Sequence, residues 1–377
     1  MEKIQMVDLY NQYLHIKEDI DNAILECIES SQFIKGKQFD QFQLNLAEYL
    51  NVSKVIACGN GTDALQIAIM ALGLEKGDEV IVPAFTYAAT AEVIGLLGLT
   101  PVIVDVDYDT FNITVDKIKN ALTNKTKLVV PVHLFGQCAD MEPIIELANQ
   151  HSFTLIEDTA QALGANYTFK NGFSKKAGCL GNIGCTSFFP SKNLGCFGDG
   201  GAVYTDDNYL AEKIKMIASH GQSKQYVHEV IGVNSRLDNI QASILLEKLK
   251  HLDNYNLSRQ EVANFYDSAL GNINNIIIPA REKKSTHVFH QYTIKVKNNQ
   301  RDALKKYLSN QGIPSMIYYP KALHHQKAFA SLVKRGGSLE ISEQLCSEVL
   351  SLPIHTEMSK NQLQYIVDHI IHFFYEN

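Results

Sequence analysis

Five short β-branched runs recur between residues 54 and 157: Lys54–Cys58, Glu79–Val82, Pro101–Val104, Lys127–Val132 and Thr154–Glu157. Turn residues and then a helix-like stretch follow each one. Val and Ile suit a pleated, buried surface, and strand alternating with helix at this spacing is the pattern of βα units. Each crossover lays a helix over the sheet, so the expected architecture is α/β, with a mostly parallel central sheet covered on both faces. The region from about 50 to 245 reads as one such domain.

Ahead of it, LHIKEDIDNAILECI and FDQFQLNLAEYL carry helical periodicity and predict two amphipathic helices. Behind it, Leu237, Ile240, Ile244, Leu245, Leu249 and Leu252 repeat on one face and predict a long helix from Asp238 to about Asp267. IIIP (276–279), QYTIKV (291–296) and PSMIYY (314–319) then read as strands of a smaller C-terminal α+β unit. At ~100–200 residues per domain, the length of the chain supports two domains. The division expected is 1–250 and 251–377.

Lys+Arg number 34 against 41 Asp+Glu, a net charge of −7, which excludes a broadly basic surface for nucleic acid or membrane while leaving room for a local cationic pocket. The seven cysteines are scattered without a C-x-x-C pair, so no disulfide framework or zinc ribbon is expected. The first residues lack an apolar signal core, and the longest apolar stretch, Val93 to Val106, is broken by glycine, proline and aspartate. A cytoplasmic protein is expected. His324-His325, His287 and His290 show no metal-ligand spacing, so no metal site is expected.

Three segments carry chemistry. Cys58-Gly-Asn-Gly-Thr-Asp-Ala-Leu65 lies between a strand and a helix, where free N–H groups and the helix dipole favour an anion, phosphate above all. Gly59-x-Gly61-x-x-Ala64 also satisfies a relaxed dinucleotide fingerprint, which would make the chain a nicotinamide-dependent oxidoreductase, but the acid expected at the end of the next strand is missing. The blander alternative is a tight turn with Thr62 or Asp63 capping the helix.

Leu155-Ile-Glu-Asp-Thr-Ala-Gln161 delivers Asp158 at the carboxyl end of a strand, the edge where open α/β sheets bind ligands; capping the next helix is the competing role. In CTSFFPSKNLGCFGDGGA, Lys192 stands among aromatic and small residues. Burial there would lower its pKa and make it a nucleophile or proton shuttle, although most lysines are surface solubilisers. Phosphate cradle, acid and lysine together match pyridoxal phosphate, whose ring Tyr87 could cover.

With GNGTDAL, PAFTYAATAEVI, PVHLFGQCADM, IEDTAQALGA, SFFPSKNLGCFGDGGAV, HGQ, GVNSRLDNIQASIL, YYP and LPIH, the chain resembles, over essentially its whole length, the DegT/DnrJ/EryC/StrS sugar aminotransferases. That family has the aspartate aminotransferase-like fold type I of pyridoxal-phosphate enzymes and acts on nucleotide-linked keto sugars. The resemblance implies that Lys192 holds the cofactor as an internal aldimine and that Asp158 pairs with the pyridine nitrogen. It further implies that Gln161 meets the ring hydroxyl, while Ser187 and the N–H groups of Gly61, Thr62 and Asp63 take the phosphate. Asn234 would reach that phosphate from the partner subunit of a homodimer with shared sites.

Dehydratase relatives carry histidine where this chain has Lys192, so the resemblance favours transamination, with L-glutamate as donor. The motifs look most like those of enzymes that aminate the 3-keto group of UDP-2-acetamido-2-deoxy-3-oxo-glucuronate for surface polysaccharides. Arg236 is then the motif cation placed to grip a carboxylate in a forked pair, with Tyr319 beside the sugar. Tyr318 departs from the histidine that close relatives often carry there. A 3- or 4-keto-6-deoxy sugar on dTDP or UDP is the alternative acceptor, and a non-catalytic regulator of the same fold is the rival from another class.

Overall fold

The computed structural model describes residues 3–375. Three helices open the chain where two are expected: α1 (Leu9–His15), α2 (Lys17–Ser30) and α3 (Lys37–Leu50). Asp8 caps α1 by accepting the Asn11 N–H at 3.0 Å, and Ile16, with φ −124°, breaks the helix before α2. The periodicity runs across that break, so sequence alone does not reveal it.

The βα series then follows as β1 (Lys54–Cys58), α4 (Gly61–Leu72), β2 (Glu79–Pro83), α5 (Ala89–Leu96), β3 (Thr100–Val104), α6 (Val115–Ala121), β4 (Thr126–Val129), α7 (Met141–His151) and β5 (Thr154–Asp158). A small hairpin, β6 (Asn166–Thr168) and β7 (Ser174–Lys176), precedes β8 (Ile183–Ser187) and β9 (Gly201–Thr205). After α8 (Asn208–Ile217) come the hairpin β10 (Gln222–Lys224) and β11 (Val227–His228), then α9 (Asn239–Leu249) and α10 (Leu252–Leu270). The chain ends with β12 (Ile276–Ile277), β13 (Tyr292–Val296), α11 (Arg301–Asn310), β14 (Lys334–Arg335), α12 (Glu340–Glu348), β15 (Val349–Leu352) and α13 (Lys360–Tyr375).

The large sheet has the order β1-β9-β8-β5-β4-β2-β3-β14. Only β9 runs antiparallel to its neighbours; the other pairings are parallel. Side chains alternate between faces along a strand. Val80 and Val82 accordingly join the core beneath α4, α5 and α8, while Ile81 joins the core beneath α6 and α7. All three are fully buried. Each contributes roughly 1.5–3 kcal/mol by leaving water, which is why β2 is apolar throughout rather than alternating.

The second sheet, β12-β13-β15, is antiparallel and packs Tyr292, Ile294 and Leu350 against Val262 and Tyr266 of α10 and Ile366 of α13. The expected long helix is two. The break falls at Lys250-His251, where α9, packed on α2 and α3, gives way to α10, packed on α13. PSMIYY is not a strand: Met316 makes a single bridge to Ser351, and the segment then turns so that Tyr318 and Tyr319 pack with Phe85 and Phe111. The C-terminal segment also returns β14 to the edge of the large sheet beside β3, so the large sheet takes strands from both sides of the expected boundary, while the small sheet lies wholly beyond it. Among the described residues, no helix is long and apolar enough to cross a membrane.

Candidate active site

Three chain segments meet at the carboxyl edge of the large sheet. The first is the β1–α4 junction. Asn60 is extended, and its Oδ1 accepts the Asp63 N–H at 2.8 Å, so Asn60, rather than Thr62 or Asp63, caps α4. That cap occupies the Asp63 donor and leaves Gly61 and Thr62 to present the free N–H groups of the first turn. The Asp63 carboxylate is turned aside: it accepts from Ser235 Oγ at 2.5 Å, and Ser235 Oγ accepts from Gly59 N at 2.9 Å.

Gly61 lies flat against the end of β8, where a Cβ would stand 2.6 Å from Ser187 Cβ. A Cβ on Gly201 would fall 2.4 Å from the Asn60 carbonyl carbon. The two glycines let the helix start and two strand ends close into one small cradle. The acids near β2 are engaged elsewhere. Glu79 accepts from Lys334 Nζ at 2.8 Å and Thr123 Oγ1 at 2.5 Å, and Asp78 accepts from Glu75 N at 2.9 Å. The dinucleotide alternative thus finds no ribose-binding acid at the end of that strand.

Asp158 ends β5. Its Oδ2 accepts from Thr90 Oγ1 at 3.1 Å and its Oδ1 from Ala160 N at 3.1 Å. Burial pushes its carboxyl above the usual carboxylate range, against the Ala160 hydrogen bond and the charge of Lys192, which favour ionisation. Behind it, His133 Nδ1 accepts from Ala139 N at 3.2 Å, so the opposite nitrogen carries the proton toward Glu157 at 2.8 Å. The His133 N–H also holds the Asp158 carbonyl at 3.0 Å. This buried pair fixes the strand end that carries the acid.

Lys192 sits in the β8–β9 loop. Its N–H donates to Phe189 O at 2.8 Å, and Asn193 Nδ2 ties the loop to Asn256 Oδ1 and Val288 O at 2.6 and 2.9 Å. Gly195 is required, because a Cβ there would fall 2.2 Å from the Pro190 carbonyl oxygen. The residue is half-buried, with desolvation lowering the ammonium pKa to about 8 against the opposing pull of Asp158. An amine so placed exchanges its proton near neutrality.

Gln161 bridges two elements: Oε1 accepts from Phe135 N at 2.8 Å and Nε2 donates to Tyr319 OH at 3.2 Å. The Tyr319 ring stands 5.9 Å from that of Phe85, 6.4 Å from Tyr87 and 6.1 Å from Tyr318. Burial raises the pKa of both Tyr318 and Tyr319, keeping their hydroxyls protonated. Tyr87 is 62% exposed at the mouth.

Two expected residues do not join this group. Asn234 is exposed and bridges Ser219 through its backbone. Arg236 lines a separate cavity of about 240 Å³ with Lys35, Lys54, Lys215, Asp40 and Glu212. Neither makes a described side-chain bond to Lys192, Asp158 or the cradle. Sequence reasoning missed Asn60, Thr90, Asn193 and Ser235. Asn60 and Thr90 were visible within GNGTDAL and PAFTYAAT, whereas the partners of Asn193 and Ser235 lie more than 60 residues away.

Against known proteins, the sequence matches the DegT/DnrJ/EryC1/StrS aminotransferase family over residues 14–371. A pleiotropic regulatory protein of Geobacillus stearothermophilus is 44% identical over 98% of each chain. The UDP-2-acetamido-2-deoxy-3-oxo-D-glucuronate aminotransferase of Pseudomonas aeruginosa is 41% identical, covering 96% of this chain and 98% of its own. The dTDP-3-amino-3,6-dideoxy-alpha-D-galactopyranose transaminase of Aneurinibacillus thermoaerophilus is 40% identical, covering 99% of this chain and 100% of its own.

Among solved structures, S. venezuelae DesV in complex with a ketimine intermediate superposes with TM-score 0.95 at 35% identity, covering 100% of this chain and 99% of that one. NtdA of Bacillus subtilis with bound cofactor PMP gives TM-score 0.89 at 33% identity, covering 99% and 86%. With fold, cradle, acid and lysine in one place, this chain belongs to the DegT/DnrJ/EryC1/StrS aminotransferase family.

Proposed function

We propose that this chain, a pyridoxal-phosphate-dependent sugar aminotransferase, moves an amino group from L-glutamate to a nucleotide-linked keto sugar. The acceptor we infer is UDP-2-acetamido-2-deoxy-3-oxo-D-glucuronate, aminated at C3 for bacterial surface polysaccharide such as O-antigen. One observation carries the reading: Lys192, its pKa lowered to about 8, lies within the field of Asp158. The two share an edge of the sheet with the cradle at Gly61 and Ser187.

These residues fit the cofactor. A side chain at position 61 would fill the space against Ser187, and Asp158 is a buried acid in want of a cation. Gly61 and Thr62 N–H with Ser187 Oγ would take the phosphate, Asp158 the ring nitrogen, Gln161 the ring hydroxyl and Lys192 the aldehyde carbon, with Tyr87 over the ring. The bound cofactor supplies an electron sink. The chain supplies the rest.

Lys192 Nζ accepts a proton from the donor carbon and returns one on the opposite side of the reaction. A cation facing Asp158 favours its charged form and offsets the cost of burial. Gln161, bonded to Tyr319, links the cofactor side of the site to the sugar side. Arg236 grips a carboxylate of the uronate or of glutamate through paired N–H groups. On this reading Asn234, and Arg236 with it, act on the site of a second copy, so the working unit is a homodimer; the reading also places it in the cytoplasm.

The test has two stages. The purified protein should show a visible absorbance band that borohydride abolishes and that Lys192→Ala lacks; its absence in the native protein rejects the cofactor arrangement. Enzyme loaded with pyridoxamine phosphate is then offered UDP- and dTDP-linked keto sugars. Turnover of the UDP-uronate supports the inferred acceptor. Turnover of 6-deoxy sugars alone favours the second reading, a dTDP- or UDP-linked keto-6-deoxy sugar. Tyr318 beside Tyr319 gives that reading its support, since a phenol replaces an imidazole on the sugar side.

A further inference from the structure

Four residues beyond Tyr319, the short 3₁₀ turn Leu323–His325 is pinned by Leu323 N, which donates to Ala84 O at 3.0 Å in the loop that carries Tyr87. Facing it is the first turn of α12, itself fixed by Asp105 at the end of β3. The Asp105 carboxylate accepts from Ile341 N at 3.0 Å, Ser342 N at 2.8 Å and Ser342 Oγ at 2.6 Å. Both supports are therefore tied to strand ends of the large sheet.

Between them, Glu343 Oε1 stands 2.9 Å from His324 Nε2 and 3.4 Å from His325 Nε2, with the two imidazole centroids 4.2 Å apart. One donor atom from each of the three residues falls within a 4.8 Å sphere of mutual distances. Zinc binds imidazole nitrogen at about 2.0–2.1 Å and carboxylate oxygen at about 2.0–2.2 Å, so its ligands stand roughly 3–3.5 Å apart, close to the separations from Glu343.

His324 is almost fully buried and its Nδ1 has no partner, so the ring is held in place by packing and by its contact with Glu343. His325 and Glu343 are 49% and 41% exposed, which leaves the outer side open to water as a further ligand. Arg335 is a neighbouring cation acting on both His324 and Glu343.

We propose that His324, His325 and Glu343 bind one first-row divalent transition ion of the zinc class, clamping the segment that follows Tyr319 to α12. Two imidazoles and one carboxylate suit zinc or cobalt rather than magnesium or calcium, which prefer all-oxygen sets. The spacing of the histidines did not disclose the site, because the third ligand lies 18 residues further on, in another helix.

The test uses the full-length, cofactor-loaded protein, stripped with chelator and equilibrated with Zn²⁺, with bound metal measured by elemental analysis and Co²⁺ as an optical probe. One ion per chain is expected. Losing a ligand should cost at least as much as losing an outer-shell partner, roughly 10–100-fold in affinity, in both His325→Ala and Glu343→Gln. These residues are exposed enough to spare the fold, which the unchanged cofactor absorbance would confirm. Zinc that fails to bind overturns the proposal. So does zinc bound equally by the native protein and both variants, which would place it elsewhere.

Discussion

The cofactor edge of the sheet and the face that carries Asn234 and Arg236 are built on opposite plans. At the sheet edge the acids and the amide are held by partners within the chain: Asp158 has Thr90, Gln161 has Tyr319 and Asp63 has Ser235. On the other face, Lys35, Lys215 and Arg236 line one cavity and form no ion pair within 4 Å among the described residues, and Arg236 and Lys215 together depress the Lys35 pKa after desolvation does. Such contacts hold the side chains of this edge in place. Four cations and two acids line that cavity, and the excess positive charge favours an anion or a second surface.

The largest effect expected from breaking this contrast is at Lys192. On the proposed roles, Lys192→Ala would remove both the attachment point and the proton carrier, and turnover should fall by roughly four orders of magnitude or more. Steady-state amination of the acceptor checks this. Next is Arg236→Ala, which should lower acceptor kcat/KM by roughly 10–100-fold, the worth of a charged hydrogen-bonded contact, while cofactor absorbance is retained. Equal loss of cofactor and acceptor would make Arg236 structural. Mixing the Lys192→Ala and Arg236→Ala proteins sharpens the point, since recovered activity requires the two faces to serve one site across a dimer.

Thr90→Val is smaller. It deletes one hydrogen bond to Asp158 and keeps the shape, so about a tenfold loss in kcat is expected, with the pH profile of kcat shifted as the carboxyl rises further.

The smallest effect is on stability. In the cofactor-free protein the Lys192 ammonium pKa is about 8, below its unfolded value near ~10.4. Between those values the unfolded state binds more protons, so stability rises with pH across that window and gains nothing from this residue below about 8. Lys248, also lowered to about 8 by burial, acts in the same direction. The comparison of native and Lys192→Met melting curves from pH 7 to ~10.5 isolates the Lys192 share, and identical slopes would refute it.

The sheet and its ligand edge were legible because β-branched runs and glycine-rich turns are local signals. Lys192, Asp158 and Gly61 stood out for the same reason: Gly61 and Lys192 follow a strand within a few residues and Asp158 ends one. The break at Ile16, the split at Lys250-His251 and the bend that removes PSMIYY from a sheet were not legible, since packing partners distant in sequence decide them. The capping role fell to Asn60 because its extended backbone, one residue earlier, aims its side chain at Asp63 N. The positions of Asn234 and Arg236 within their motif show their chemistry but not their direction. That is set by the loop between Ser219 and α9.

β14 has a consequence for how the molecule is made. Lys334–Arg335 lies along β3, a strand completed some 230 residues earlier. During synthesis the border of the main sheet stays unpaired until Lys334–Arg335 has left the ribosome. A nascent chain halted before that point carries a naked template for wrong pairing, so a late two-residue strand acts as the seal on β3.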